Sequence, residues 1–261
     1  MGTGWSQDET PQVREESLPQ ITEQGSPRKP IISRSTEKDS SRVSDPTPPQ
    51  VKLPHNYEAI VKHADSPFDD SSTEKLYNQL QAREFLNQEK KATFCFCMQK
   101  YWVDRKSSSD CFMLFARDLS ITWAEDNRYW HWSYLKETSD VFVDVAELLK
   151  VCWLEIQGKF EMVNLSPGTV YEVVFLVMLK DPAFGWEVPV NVRLILPDGT
   201  TQQHEENLME KPRGRWIEIP AGEFRTSSEK IGDIQFSLYE CKAGMWKRGL
   251  VIKGVAIRPK A

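Results

Sequence analysis

Four large aromatic side chains crowd into ten residues of this chain: Trp123, Tyr129, Trp130 and Trp132. A polar turn, Glu125-Asp126-Asn127, separates the first from the others, and Arg128 follows it. That combination suits sugar recognition. The apolar C–H face of a pyranose lies against an indole ring, while hydroxyl and acetamido groups meet carboxylates, amides and guanidinium groups. Read as a hairpin, the stretch puts Trp130 and Trp132 on one strand face and Tyr129 with His131 on the other. One face can be core. Burying both at a hairpin is difficult, so at least one aromatic is expected to stand in solvent. From the residues alone two other uses stay open: core packing for all three tryptophans, or a protein–protein interface.

Groups able to do covalent or acid–base chemistry do not assemble. The four histidines, His55, His63, His131 and His204, are scattered and lack the spacing of a metal or catalytic motif. No Gly-x-Ser-x-Gly elbow, phosphate-binding loop or dinucleotide turn occurs. Glu155 and Glu161 alternate with an apolar face and lie about 20 Å apart along a strand, too far for a glycosidase pair. The sequence therefore points to a binding protein, not an enzyme, with no cofactor and no metal. Of the five cysteines, Cys152 and Cys241 fall in apolar strand patterns and read as buried free thiols, and Cys95-x-Cys97 lacks zinc spacing.

Composition divides the chain. Residues 1–50 hold seven of its sixteen prolines and one aromatic, Trp5, and cannot bury enough surface to order themselves. They are expected to form a disordered tail. Within it Gly2 and Ser6 match an N-myristoylation pattern, so Gly2 is a candidate lipidation site. Net charge is −5 with both signs mixed, and no dense basic stripe suggests nucleic acid. No apolar run reaches transmembrane length and no signal core is visible, which points to a cytoplasmic protein.

Residues 51–107 read as a short helical leader. Ser71-Ser72-Thr73-Glu74 is a capping box with Ser71 as N-cap, and Leu76, Leu80 and Phe85 follow on one helical face. The apolar run 92–102 reads as an edge strand or an exposed sticky segment. From 108 to 261 the pattern is period-two alternation between turns. In Val151–Met162 one face carries Cys152, Leu154, Ile156, Phe160 and Met162; residues 169–179 are apolar throughout and read as a central strand. Only 145–150 hints at a helical turn. The fold class is all-β, a jelly-roll or β-sandwich domain, preceded by the helical leader and the tail.

Residues 110–123 (DCFMLFARDLSITW) followed by 128–132 (RYWHW) resemble the phloem protein 2 family, the Nictaba-related plant lectins. Further matches are 151–155 (VCWLE), 165–172 (LSPGTVYE), 185–191 (GWEVPVN), 246–249 (WKRG) and 254–259 (GVAIRP), with leader-like matches at 54–60 (PHNYEAI). The resemblance spans about 108–260. It implies a lectin domain that binds N-acetylglucosamine oligomers, N-glycan cores and glycoproteins carrying them, without catalysis or metal. It also implies a homodimer and a location in cytoplasm and phloem sap, with the nucleus as a second compartment. The family's sugar-binding tryptophans correspond to Trp123 and Trp130; Trp132, Glu240 and Trp246 are added as candidates. An alternative is a structural or interaction protein of the phloem, with a protein or RNA partner and no sugar affinity. Two departures stand out: 92–98 looks like an insertion, and the loop after Pro197 lacks the family's lysine-rich nuclear signal.

Overall fold

The computed structural model describes residues 53–261 except 56, 63–67, 83–84, 92–94, 138–140, 228 and 230. The expected tail, with Gly2, lies outside the described residues. Two short helices come first, α1 (Tyr57–Lys62) and α2 (Thr73–Ala82). Thirteen strands follow: β1 (Phe85–Lys91), β2 (Cys95–Val103), β3 (Asp110–Phe115), β4 (Ser120–Ile121), β5 (Trp130–Lys136), β6 (Phe142–Leu148) and β7 (Leu154–Glu161), then β8 (Val170–Phe184), β9 (Val190–Ile195), β10 (Thr201–Glu206), β11 (Trp216–Arg225), β12 (Asp233–Glu240) and β13 (Arg248–Pro259). All strand pairings between them are antiparallel, and they form a larger and a smaller sheet. The protein is a β-sandwich.

The smaller sheet runs β10-β9-β12-β7-β4. Its inward positions are the alternating apolar residues read from the sequence: Leu154, Ile156 and Phe160 on β7, Val190, Val192 and Leu194 on β9, Ile234, Phe236 and Leu238 on β12. They meet Tyr171, Val173, Phe175, Val177 and Leu179 of β8, the long central strand of the larger sheet. The outer face of β8 is also apolar: Val174 is buried there, and Leu176 packs against the cluster of Met113, Phe115, Val143 and Ala256.

The larger sheet forks at its last strand. β13 pairs with β8 along one edge, while its other edge pairs with β6 through Val251–Ile252 and with β3 through Gly254–Ile257. The register shifts by one residue between Ile252 and Gly254. A bulge there re-aims the strand from one partner to the other. Gly254 has φ 155°, and a Cβ on it would stand 2.0 Å from the Leu114 carbonyl oxygen. Only glycine fits both conditions.

Five details differ from the sequence reading. The cap of α2 is Ser72, whose Oγ accepts the Lys75 amide at 3.2 Å, one residue beyond Ser71. Phe85 is not on that helix but opens β1. The leader is not only helical: β1 and β2 pair, and β2 joins β3, so a hairpin widens the sheet. Residues 145–148 are strand, not helix, because β6 lies between β5 and β13 and ladder pairing on both edges overrides the helical propensity of Val-Ala-Glu-Leu. The fifth is Pro220, before which the sequence pattern ends a short strand at 216–219. Strand β11 continues through it, since β11 lies at a sheet edge where a missing N–H costs no ladder bond. Cys111 is a buried free thiol, whereas Cys152 and Cys241 are free and half-buried. Among the described residues no helix is long and apolar enough to cross a membrane.

Leader and sandwich are tied by Asp110. Its buried carboxylate accepts the Tyr101 hydroxyl at 2.7 Å and the Ser166 hydroxyl at 2.5 Å, and its carbonyl accepts the Tyr171 hydroxyl at 2.9 Å. Burial pushes its pKa up, and the hydrogen bonds from Ser166 and Tyr101 oppose this only in part. A raised carboxyl contributes stability that is present below the ordinary carboxylate range and is lost as pH rises through the folded value. Asp110→Asn is therefore expected to raise Tm relative to wild type more at pH 7 than at pH 4. Gly254→Ala is expected to lower Tm by about 5–10 °C, the effect of about 2–3 kcal/mol in a domain of this size. Thermal unfolding followed by circular dichroism measures both.

Candidate functional site

The chain crosses between the two sheets twice within a few residues. It leaves the larger sheet at the end of β3, makes one 3-10 turn at Ala116–Asp118, touches the smaller sheet as β4, and returns as β5. The return must reverse the chain over 122–129 in tight turns: the Asp126 amide donates to the Trp123 carbonyl at 3.0 Å, and the Tyr129 and Trp130 amides donate to the Asp126 carbonyl at 2.9 and 3.1 Å. The Asp126 carboxylate braces the same turn through the Arg128 amide and guanidinium, at 3.0 and 2.6 Å. The Arg128 bonds hold the Asp126 carboxyl below its ordinary range.

Trp123 sits at the apex with φ 61°. That left-handed region costs a residue with a bulky side chain about 1–2 kcal/mol, so its neighbours must hold it there. They do so through two indoles. Trp130 Nε1 donates to the Thr122 carbonyl at 3.0 Å, and Trp132 Nε1 donates to the Ala124 carbonyl at 2.9 Å. The carbonyls of the two residues that adjoin Trp123 are thus gripped from below. The Trp123 ring itself leans on Tyr129, centroids 5.3 Å apart, and stays 47% exposed.

Beside it lies a concavity of about 780 Å3, within the usual range of small-molecule sites. Trp123, Trp132, Arg117 and the polar turn Glu125, Asp126 and Asn127 line it. Arg117 lies flat on Trp132, its guanidinium carbon 3.6 Å from the ring centroid. Asp144 and Glu125 fix that guanidinium at 2.7 and 3.2 Å. The wall therefore offers an open indole, a planar guanidinium and several carboxylate and amide oxygens, a set that can stack on an apolar ring face and bond hydroxyls. Among the described residues no group of three or more His, Cys, Asp or Glu stands together as a metal site.

The structure brings together only part of the candidate set. Trp123 and Trp132 share the concavity. Trp130 does not: it is 2% exposed, which corrects the expectation of an open ring. Its face of β5 points into the sandwich, where a ring of this size contributes about 4–6 kcal/mol by burial. It acts on Trp123 through its N–H. Glu240 is also closed off, 3% exposed and ion-paired with the fully buried Lys247. Its other oxygen accepts the Lys242 and Ala243 amides, both at 2.8 Å. Lys247 also donates to the Met245 carbonyl at 3.0 Å, and its backbone bridges to Val151 at 2.7 and 3.1 Å. The pair shapes the loop that holds Trp246 in solvent, outside the lining of the concavity and near the Lys150 ammonium at 5.9 Å. Arg117 and Asp144 were not singled out from the sequence, because their roles depend on a 3-10 turn meeting β6 across space.

Removing one partner of a buried pair strands the other, so Lys247→Met is expected to cost about 3–5 kcal/mol. The Glu240 carboxyl is desolvated, which raises its pKa, but Lys247 and the two amides prevail and hold it below the ordinary range. A depressed carboxyl contributes stability above that range and loses it as pH falls through the folded value. Denaturant titrations should show wild type losing stability on acidification and Glu240→Gln losing less.

The phloem protein 2 family model matches residues 109–259. Protein PHLOEM PROTEIN 2-LIKE A1 of Arabidopsis thaliana is 50% identical over 212 residues, covering 80% of this chain and 82% of that protein. A lectin of Luffa acutangula is 46% identical over 213 residues, 81% of this chain and 97% of its own length. Among solved structures, a xylan-binding domain from Paenibacillus barcinonensis aligns with 56% of this chain and 89% of itself, at 12% identity and a TM-score of 0.31, too remote to bear on function. On the span of the family match and the closeness of these relatives, the chain belongs to the phloem protein 2 family.

Proposed function

We propose that this protein is a lectin for saccharides containing N-acetylglucosamine, including its oligomers and the core of N-glycans. The observation that carries the proposal is Trp123: a tryptophan held in a costly backbone conformation, gripped by two other indoles, with its ring open beside a polar concavity. Strain retained at an exposed residue supports a functional reading of it. The lectin of Luffa acutangula, similar over most of both chains, supports the same class of ligand.

Trp123 supplies the stacking face. Glu125 and Asn127, both exposed at the turn, and Arg117 supply hydrogen bonds to hydroxyl and acetamido groups. Trp132 is a wall whose face is taken by Arg117, and Trp130 is a positioning residue. Binding of this kind needs neither bond cleavage nor a cofactor. Homodimer formation and a location in cytoplasm and phloem sap accompany the family and belong to the same proposal.

A phloem interaction protein without sugar affinity is the second reading. It is favoured by the exposed indoles of Trp153 and Trp246, which lie outside the concavity's lining.

Retention on a column of immobilised chitin oligomer, with release by free oligomer, tests the first reading. Trp123→Ala should lose retention by at least about tenfold with an unchanged Tm, because the ring removed is exposed. Trp130→Ala should instead lower Tm sharply, since it loses about 3–5 kcal/mol of core stability. Retention of Trp123→Ala equal to wild type, or an empty glycan array for wild type, would sink the proposal; the empty array would favour the second reading.

A further inference from the structure

The outer face of the smaller sheet carries a second polar centre. Alternation on β7, β9 and β12 turns Gln157, Arg193 and Ser237 outward, since their neighbours Ile156, Val192, Leu194, Phe236 and Leu238 face the core. The register sets the three directly across from one another, Gln157 with Ser237 and Ser237 with Arg193. The same row begins at Ser120, which lines the concavity and pairs with Gln157. Arg193 is three strand spacings from Ser120, about 14 Å. The two centres are therefore separate.

A cleft of about 40 Å3 opens between Gln157, Arg193, Gln235 and Ser237. Two buried hydrogen-bonding atoms meet there with no partner among the described residues, Arg193 Nε and Ser237 Oγ. Ser237 is only 5% exposed. Buried polar atoms are nearly always bonded, so two open ones side by side in one cleft point to a ligand that bonds both. The Arg193 guanidinium carbon lies 5.2 Å from the Tyr239 ring centroid. That ring takes the guanidinium face and leaves its N–H edge free.

The chemistry of that edge selects the ligand. Nε–H and one Nη–H of a guanidinium point the same way and match the two oxygens of a carboxylate. The Ser237 hydroxyl supplies a third donor, and the exposed amides of Gln157 and Gln235 supply more. The cleft has room for about three non-hydrogen atoms, enough for a carboxylate and too little for a sugar ring. The rest of the ligand must then lie on the surrounding sheet. Asn191, Thr201 and Gln203 make that surface polar, with partners for hydroxyl groups and little apolar anchorage for a peptide. Glu155 and Glu205 stand one row along, on either side of Tyr239 and Asn191, and oppose a second carboxylate there.

We propose that Arg193 and Ser237 form a second saccharide site, which takes the carboxylate of a single uronic acid residue. It is independent of the N-acetylglucosamine reading above.

Nuclear magnetic resonance of the isotope-labelled full-length protein at neutral pH tests it, with the Arg193 Nε–H signal as the probe. Glucuronic acid should shift that signal saturably, with a Kd of about 1–10 mM, and glucose should leave it unmoved. Ser237→Ala should weaken glucuronate binding about three- to tenfold without lowering Tm, because the buried hydroxyl it removes is unbonded. Arg193→Gln, followed through the Ser237 amide signal, should abolish the response. Trp123→Ala should bind glucuronate as wild type does, which keeps failure of this site apart from failure of the concavity. A wild type whose Arg193 signal ignores glucuronic acid, or answers glucose equally, overturns the proposal, as does an Arg193→Gln variant that keeps full affinity. Tighter binding of triglutamate than of glucuronate also overturns it, and assigns the cleft to an acidic peptide.

Discussion

Two indole N–H groups hold this site together. Trp130 reaches the carbonyl of Thr122 and Trp132 reaches the carbonyl of Ala124, so the residues on either side of the apex are fixed from the sandwich side. Each bond is worth about 1 kcal/mol net, and leaving either buried donor without its partner would cost about 1–3 kcal/mol. Together they match the cost of the left-handed residue they enclose. The rigid part of the aromatic cluster thereby positions the exposed part, and division of labour among the tryptophans follows from which of them face inward.

That division depends on the sheets. Strand β5 faces inward at Trp130 only because β6 pairs with β13, and β13 can serve β6, β3 and β8 together only because Gly254 permits a bulge where the partners change. The excursion from β3 through β4 to β5 then lies at one end of the sandwich, with a wall from each sheet. The buried Glu240–Lys247 pair does a separate job in the 240–247 loop, and no residue of that loop lines the concavity.

Much of the sandwich was legible in the sequence because period-two alternation is a local property. Leu154, Ile156, Phe160 and Met162 were assigned inward from spacing alone, and the both-sides-apolar pattern of 169–179 marked the central strand. What failed was whatever depends on distant partners. Val-Ala-Glu-Leu at 145–148 has helical propensity and becomes strand under two ladders. Phe85 fits the periodicity of a helix and opens a strand instead. At the site, shared parity of Trp130 and Trp132 was readable, but which way that face points was not, so Trp130 was expected in solvent. Glu240 entered the candidate set because its counter-ion, Lys247, is recognisable as buried only once Val151 bridges to it.

The left-handed φ at position 123 sets two demands at odds. Glycine would sit in that conformation without strain and asparagine with little, yet neither carries a ring. Every substitution that would ease the backbone there also removes the exposed indole, so a relaxed apex and an open ring exclude each other at this position.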